Sequence, residues 1–180
     1  MPEPAEKQVQ PEKKQPPPEY IKEVVDKTFG KRTESPQAYI IIVVSYADDL
    51  LTKLIKKNLV VPNNSDELFD DSQPLFNFGP KIEMAYRLGL ISPELLWTLH
   101  KLRKLRDRCA HSQEKIAFSD GAIRDLISEI HSRFSKKHHK ATTTEEKFYD
   151  ITSSVLIILW KKFTETATVK SAASKEWLFS

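Results

Sequence analysis

The strongest constraint on the fold is a long apolar segment that begins at a serine–proline pair. Ser35 suits a helix N-cap, and Pro36 suits the first helical position, where no backbone N–H is needed. Every residue from 38 to 44 is apolar, and apolar residues continue at helical spacing to residue 55. The run IIIVV could also form a buried strand, but the continued spacing favours one helix to about Asn58. We expect this helix to run through the centre of the fold.

Similar signals recur along the rest of the chain. Serine–proline pairs precede two of the predicted helices, while glycine is scarce, at four residues, and no alternating strand pattern with hairpin turns is present. The predicted helices cover about 19–29, 36–58, 80–89, 93–111, 120–137 and 145–170, with caps at Ser119 and at Thr144 or a neighbour for the last two. The sequence therefore predicts an all-α protein, a single bundle of about six helices.

Composition suggests where this bundle begins and where the protein works. Residues 1–18 hold six of the eleven prolines and few large apolar side chains, so we expect a disordered tail before a domain over 19–180. No apolar run approaches the roughly 20 residues of a membrane span, and the single cysteine suits a reducing compartment. We expect a cytoplasmic protein without membrane association, cofactor or metal. The net charge of +3 permits nucleic-acid binding without demanding it.

One arginine interrupts the apolar stripe of the predicted helix 93–111. At about 100° per residue, the stripe occupies an arc of roughly 120°. Its members are Leu95, Leu99, Leu102, Leu105 and Cys109. Arg106 falls inside that arc, and a buried guanidinium needs a carboxylate, a partner chain or a ligand, because an uncompensated buried charge costs several kcal/mol.

Two interpretations of Arg106 follow. Asp48 and Asp49 lie on the central helix, and an Asp48–Arg106 pair would make the arginine purely structural. Alternatively, Arg106 belongs to a functional site with Asp107 and His111, two residues whose side chains can touch at a spacing of four. A carboxylate beside an imidazole orients the ring and favours its protonated form. We prefer the site interpretation, although Arg106 and His111 point about 140° apart on one straight helix.

The spacing Arg106-Asp107-x-x-x-His111 resembles the signature of the HEPN superfamily of helical proteins. More of the chain, from about residue 34 to 128, resembles the mannitol operon repressor (MtlR) family, which is built on a HEPN-like bundle. The similar stretches are Glu34-Ser35, YADDLL at 46–51, FNFGPKI with AYRLGLIS between 76 and 92, and LRKLRDRCAHS at 102–112. The chain departs from the family pattern at Asp107, where asparagine is usual, and at Cys109, where an aromatic residue is usual.

This resemblance implies a negative regulator of transcription. Because no DNA-recognition motif is visible, we expect it to act through a regulatory protein or RNA partner, and as a homodimer. The alternative is a metal-independent endoribonuclease in which Arg106, Asp107 and His111 act across the dimer. Fumarate hydratase activity, a label some relatives carry, is a distant third.

Further basic residues are candidate nucleic-acid contacts. Arg103, Lys104 and Arg108 surround Arg106 in sequence and could meet phosphates. The segment 131–140 holds three of the five histidines and four basic residues. We interpret it as a solvated helix end, with phosphate contact as the alternative.

Overall fold

The computed structural model describes residues 35–60, 67–134 and 141–169. Those residues form five α-helices, joined in part by a 3₁₀ turn at Glu67–Phe69. The helices are α1 (Pro36–Lys57), α2 (Phe78–Arg87), α3 (Pro93–His111), α4 (Gly121–Phe134) and α5 (Thr144–Glu165). The described part of the chain contains no strand, and the all-α prediction is confirmed. The predicted tail at 1–18 and the predicted helix at 19–29 lie outside the described residues.

The central helix α1 begins and ends as the sequence predicts. The Ser35 hydroxyl accepts a hydrogen bond from the Ala38 N–H at 3.3 Å, and Pro36 is in the first turn. Nine of its residues are buried, in agreement with a central position. Asn58 ends the helix by donating a side-chain hydrogen bond to the Leu54 carbonyl at 2.8 Å.

Three other helix boundaries differ from the prediction. Helix α2 begins at Phe78 rather than Pro80, because the buried Phe78 ring joins the core from the first turn. Helix α4 follows Asp120 rather than Ser119, since the Asp120 carboxylate accepts from the Ala117 N–H at 2.9 Å and its carbonyl accepts from the fourth residue on. Helix α5 ends at Glu165, before the predicted residue 170.

Helix α5 begins with a capping box, in which two residues satisfy each other's backbone groups. Thr143 accepts from the Glu146 N–H at 3.1 Å, and the Glu146 carboxylate accepts from the Thr143 N–H at 3.0 Å. These backbone hydrogen bonds, with others from Thr142, lower the pKa of Glu146 to about 2. The start of α5 is thereby fixed within one residue of the predicted cap.

The first and last described helices are parallel neighbours. At their N-terminal ends the rings of Tyr39 and Phe148 meet edge-on, with centroids 5.4 Å apart. At their C-terminal ends Lys57 Nζ donates to the Phe163 carbonyl at 3.0 Å. Helix α1 also packs on α2 and α3, while α4 packs on α3 and α5. Within the described residues, α1, α3, α4 and α5 therefore surround one core, and α2 covers the α1–α3 side.

One polar contact ties α4 to α5. His131 Nε2 lies 3.5 Å from Asp150 Oδ2, and both side chains are mostly buried. The prediction of a solvated helix end is therefore wrong for His131, because the residue faces the neighbouring helix. Positions 135–140 of that segment lie outside the described residues. No helix in the described part of the chain is long and apolar enough to cross a membrane.

Candidate functional site

The candidate site lies on the C-terminal half of α3. Ser92 caps this helix by accepting from the Leu95 N–H at 3.3 Å, and Pro93 occupies its first turn, as predicted. The helix continues to His111 and ends at Ser112, where the backbone becomes extended. Its predicted apolar stripe is buried against the core, with exposed fractions between 0 and 3%.

Arg106 lies at the edge of that buried stripe, with 31% of its side chain exposed. Its Nε atom is 2.9 Å from Oδ1 of Asp107, the next residue in the chain. The same Nε is shielded from solvent and makes no hydrogen bond with the described residues, so the contact has the distance of an ion pair but not the angle of a hydrogen bond. The guanidinium is therefore held beside Asp107 mainly by charge and packing.

Arg103 joins the same carboxylate from one turn earlier. Its Nη1 atom lies 3.9 Å from Asp107 Oδ2, at the outer limit of an ion pair. The guanidinium also rests on the first turn of α2, since a Cβ placed on Gly79 would lie 3.5 Å from Nη1. Two arginines thus share one carboxylate where α3 meets the start of α2. A net positive charge remains.

An exposed aromatic ring precedes this turn of α2. Phe76 is 45% exposed and stands three residues before Gly79. We use the name arginine surface for the three α3 residues, for Gly79, on which Arg103 rests, and for Phe76, two residues before α2. They are Phe76, Gly79, Arg103, Arg106 and Asp107. The three α3 residues were predicted as site candidates from the sequence. Phe76 and Gly79 were not, because their positions depend on how α2 packs on α3.

The predicted pairing of Arg106 with Asp48 or Asp49 is wrong. Asp48 Oδ1 instead lies 2.8 Å from Nζ of Lys81, a buried lysine of α2. Asp49 faces outward and pairs with Lys53 of its own helix at 2.7 Å. Because α2 lies against the side of α1 that carries Asp48, its lysine satisfies this carboxylate. Lys81 was missed, although it lies within the FNFGPKI stretch.

The other predicted site residues are not brought to Arg106. His111 is exposed at the last position of α3, and among the described residues no hydrogen bond joins it to Asp107. Because α3 stays helical through His111, this side chain points about 140° away from Arg106. Lys104 and Arg108 are exposed and project about 160° from Arg106 on either side. Of the predicted cations, only Arg103 shares a surface with Arg106.

The single cysteine of the chain contributes to the core. Cys109 is fully buried, and burial raises the pKa of its thiol to about 11. A thiol with such a pKa is protonated at neutral pH and is a poor nucleophile. Its backbone carbonyl accepts a hydrogen bond from Gln37 Nε2 at 2.6 Å, which attaches the C-terminal end of α3 to the start of α1. Cys109 therefore helps to position the helix that carries the arginine surface.

Known proteins match this chain at the level of family and of fold. The model of the mannitol repressor family, MtlR, matches residues 32–173. The chain belongs to the mannitol repressor family. Among solved structures, it is similar to a chain of the X-ray structure of the MtlR–HPr complex from Escherichia coli, with a TM-score of 0.56 and 15% sequence identity. That match covers 81% of this chain and 96% of the other, and at this identity it shows the fold alone. No curated protein matches the chain in sequence.

Family membership confirms the resemblance inferred from the sequence. The match extends beyond the stretch 34–128 in which that resemblance was recognised, and it takes in α4 and α5. The helices that build the arginine surface all lie within the matched residues. The first 31 residues lie outside them.

Proposed function

We propose that this member of the mannitol repressor family is a regulatory protein that binds a protein partner through its arginine surface. The observation that carries the proposal is the pair of arginines held beside one carboxylate at the junction of α3 and α2. Arginine and exposed aromatic residues are enriched at protein interfaces. This surface offers both, since the exposed Phe76 stands three residues before Gly79, on which Arg103 rests.

Pre-organisation makes these arginines better suited to binding than long, mobile side chains. A surface cation must lose rotamer freedom when it binds, and that loss weakens affinity. Arg106 has already lost much of this freedom, because its Nε is shielded and lies against Asp107. The side chain is 31% exposed, and a partner carboxylate or backbone carbonyl could accept hydrogen bonds from the exposed part of the guanidinium. The complementary partner surface is therefore polar or acidic, with an apolar contact for Phe76.

HPr is the first partner to test, because the similar solved structure is a complex of MtlR with HPr. Binding of purified HPr should be measured by calorimetry for the wild type, Arg106→Ala and Arg124→Ala. Arg124 is a matched control, since it also pairs with the aspartate that follows it, but on the exposed face of α4. We expect Arg106→Ala to weaken binding at least about tenfold, which is about 1.4 kcal/mol, and Arg124→Ala to change it less than about twofold.

Two results would contradict the binding of HPr through this surface. Absence of HPr binding by the folded wild type would remove HPr as the partner. Equal losses in the two arginine variants would show that the effect is general electrostatic attraction, not a specific surface. Circular dichroism of both variants is needed beside the calorimetry, so that unfolding is not mistaken for lost binding.

The endoribonuclease hypothesis stays a prediction with a stricter structural requirement. Arg106 and His111 diverge on one helix, so a shared site would need Arg106 from one copy and His111 from another. A pool of structured RNAs should be incubated with the protein, with and without chelator. Cleavage that survives the chelator and is lost in both Arg106→Ala and His111→Ala would favour that hypothesis over partner docking.

A further inference from the structure

Exposed and half-buried apolar side chains lie along the outer side of the α1–α5 pair. Ile42 of α1 is 42% exposed and Ile157 of α5 is 58% exposed, both unusual for isoleucine. We define the outer groove by the apolar residues on this flank of the two helices. They are Ile42 and Tyr46 on α1, and Tyr149, Ile157 and Trp160 on α5.

Helical geometry places these residues on one face. On α1, Ile42 and Tyr46 are about 40° apart, and the three α5 residues fall within about 80°. The two helices are parallel and in contact at both ends, through Tyr39 with Phe148 and Lys57 with Phe163. The two apolar rows therefore run side by side. The α5 row extends over 11 residue steps, from 149 to 160, or about 16 Å.

The other flanks of α1 already have neighbours. Helix α2 covers one flank through the Lys81–Asp48 pair, and α3 is attached through the bond from Gln37 to the Cys109 carbonyl. Among the described residues, the outer groove is therefore the flank of α1 left for a further helix. The chain enters α1 at Ser35, at the end of the groove where Tyr149 lies.

The segment that precedes α1 has the pattern required to fill this groove. In residues 19–29, the large apolar residues fall on one half of a helical wheel and the charged residues on the other. The apolar residues are Tyr20, Ile21, Val24, Val25 and Phe29. A helix of 11 residues is about 16 Å long, which equals the length of the apolar row on α5. Five residues, 30–34, connect it to Ser35, and connections this short join antiparallel neighbouring helices.

We propose that residues 19–29 of this chain form a helix that docks in the outer groove, antiparallel to α1. This contact involves a segment that precedes the family match, which begins at residue 32. The helix would bury its apolar half against Ile42, Tyr46 and Ile157. Such a short helix is marginal in water by itself, so its stability depends on the groove.

Amide hydrogen exchange of the full chain tests this docking. We expect amides in 20–29 to exchange about tenfold more slowly in the wild type than in Ile157→Asp, because the charge would eject the helix from the groove. Val24→Asp should have the same effect from the other side of the contact, and it leaves the core untouched. The matched controls are Tyr86→Asp, at an exposed aromatic residue of α2, and Lys27→Asp, on the charged half of the segment. Both should keep the protection.

Three other results would overturn the docking proposal. Fast exchange of 20–29 in the wild type would overturn the proposal, as would protection that Ile157→Asp and Val24→Asp leave unchanged. If light scattering showed a wild-type dimer that Ile157→Asp converts to a monomer, with fast exchange of 20–29 in both, the groove would belong to a second copy and the docking proposal would be wrong.

Discussion

Two arginine–aspartate pairs of identical sequence spacing differ in almost everything else. Arg106–Asp107 on α3 and Arg124–Asp125 on α4 each join adjacent residues, at 2.9 and 3.1 Å. The Arg124 side chain is 56% exposed, and its Nε donates a hydrogen bond to Asp125. Arg106 is less exposed, its Nε is shielded, and that atom donates no hydrogen bond to the described residues. The exposed pair has the geometry of a hydrogen bond, whereas the half-buried pair is held close by the surrounding structure without that hydrogen bond.

The difference shows that the environment of a charged pair, not its residue types, identifies a candidate site. A third pair sharpens this comparison, because Lys81 and Asp48 connect two helices and Lys81 is buried. Breaking a buried pair leaves a carboxylate without its counter-charge, while breaking an exposed pair exposes the carboxylate to water. The three pairs should therefore differ in how much the protein depends on them.

The largest effect is expected at Lys81. Lys81→Met should lower the free energy of unfolding by about 2 kcal/mol, less than the 3–5 kcal/mol of a fully buried pair, because part of Asp48 reaches solvent. Adding Asp48→Leu should restore most of the loss. Chemical denaturation measures both, with Lys161→Met as the control at an exposed pair within α5. A stable single variant would show that Lys81 does not compensate Asp48.

A smaller difference is expected between the two arginines. Arg106→Ala should cost about 1 kcal/mol in the free energy of unfolding, from a partly shielded pair and the packing of the aliphatic stem. Arg124→Ala should stay within about 0.5 kcal/mol of the wild type. A loss of several kcal/mol in Arg106→Ala would mean that the residue serves the fold. The arginine surface would then have to be tested with Arg103 instead.

The smallest effect concerns a carboxylate whose partners are backbone groups. The folded pKa of Glu146 is lowered to about 2, below its ordinary value of 4.5, so its contribution to stability is present above pH 4.5. That contribution is lost as the pH falls toward 2. Glu146→Gln should therefore show a shallower loss of stability between pH 5 and 2 when thermal unfolding is followed. Identical acid profiles for the two proteins would show that the capping box does not form in solution.

The sequence predicted the fold wherever the local signal was complete. The starts of α1 and α3 were predicted correctly, because a serine cap followed by proline leaves few other conformations. Helix α2 was predicted to start too late, since Phe78 enters the helix to reach a core that local patterns do not describe. The end of α5 was also missed. The chain leaves that helix at Glu165, and the Val169 N–H then donates to the distant Lys57 carbonyl.

The candidate site was only half predictable for a related reason. A helical wheel placed Arg106 beside the apolar stripe and brought Arg103 close to Asp107 by spacing. It could not identify Lys81 as the partner of Asp48, because that contact joins helices 33 residues apart in the chain. It also favoured His111 as the neighbour of Asp107, since adjacent residues on a helix do not normally face each other. Arg106 nevertheless lies 2.9 Å from Asp107, with its Nε shielded from solvent by the folded structure.

The parallel pairing of α1 with α5 has a consequence for how the molecule is made. The bond from Lys57 to Phe163 spans 106 positions, so the helix that covers one side of α1 is synthesised after the other described helices. Until then, apolar residues such as Val43 and Val44, which lie beside Val155 and Leu156, lack part of their final cover, and contacts of such long range form slowly. The core therefore stays incomplete until α5 has been synthesised, and a nascent chain in that state exposes apolar surface that chaperones are suited to recognise.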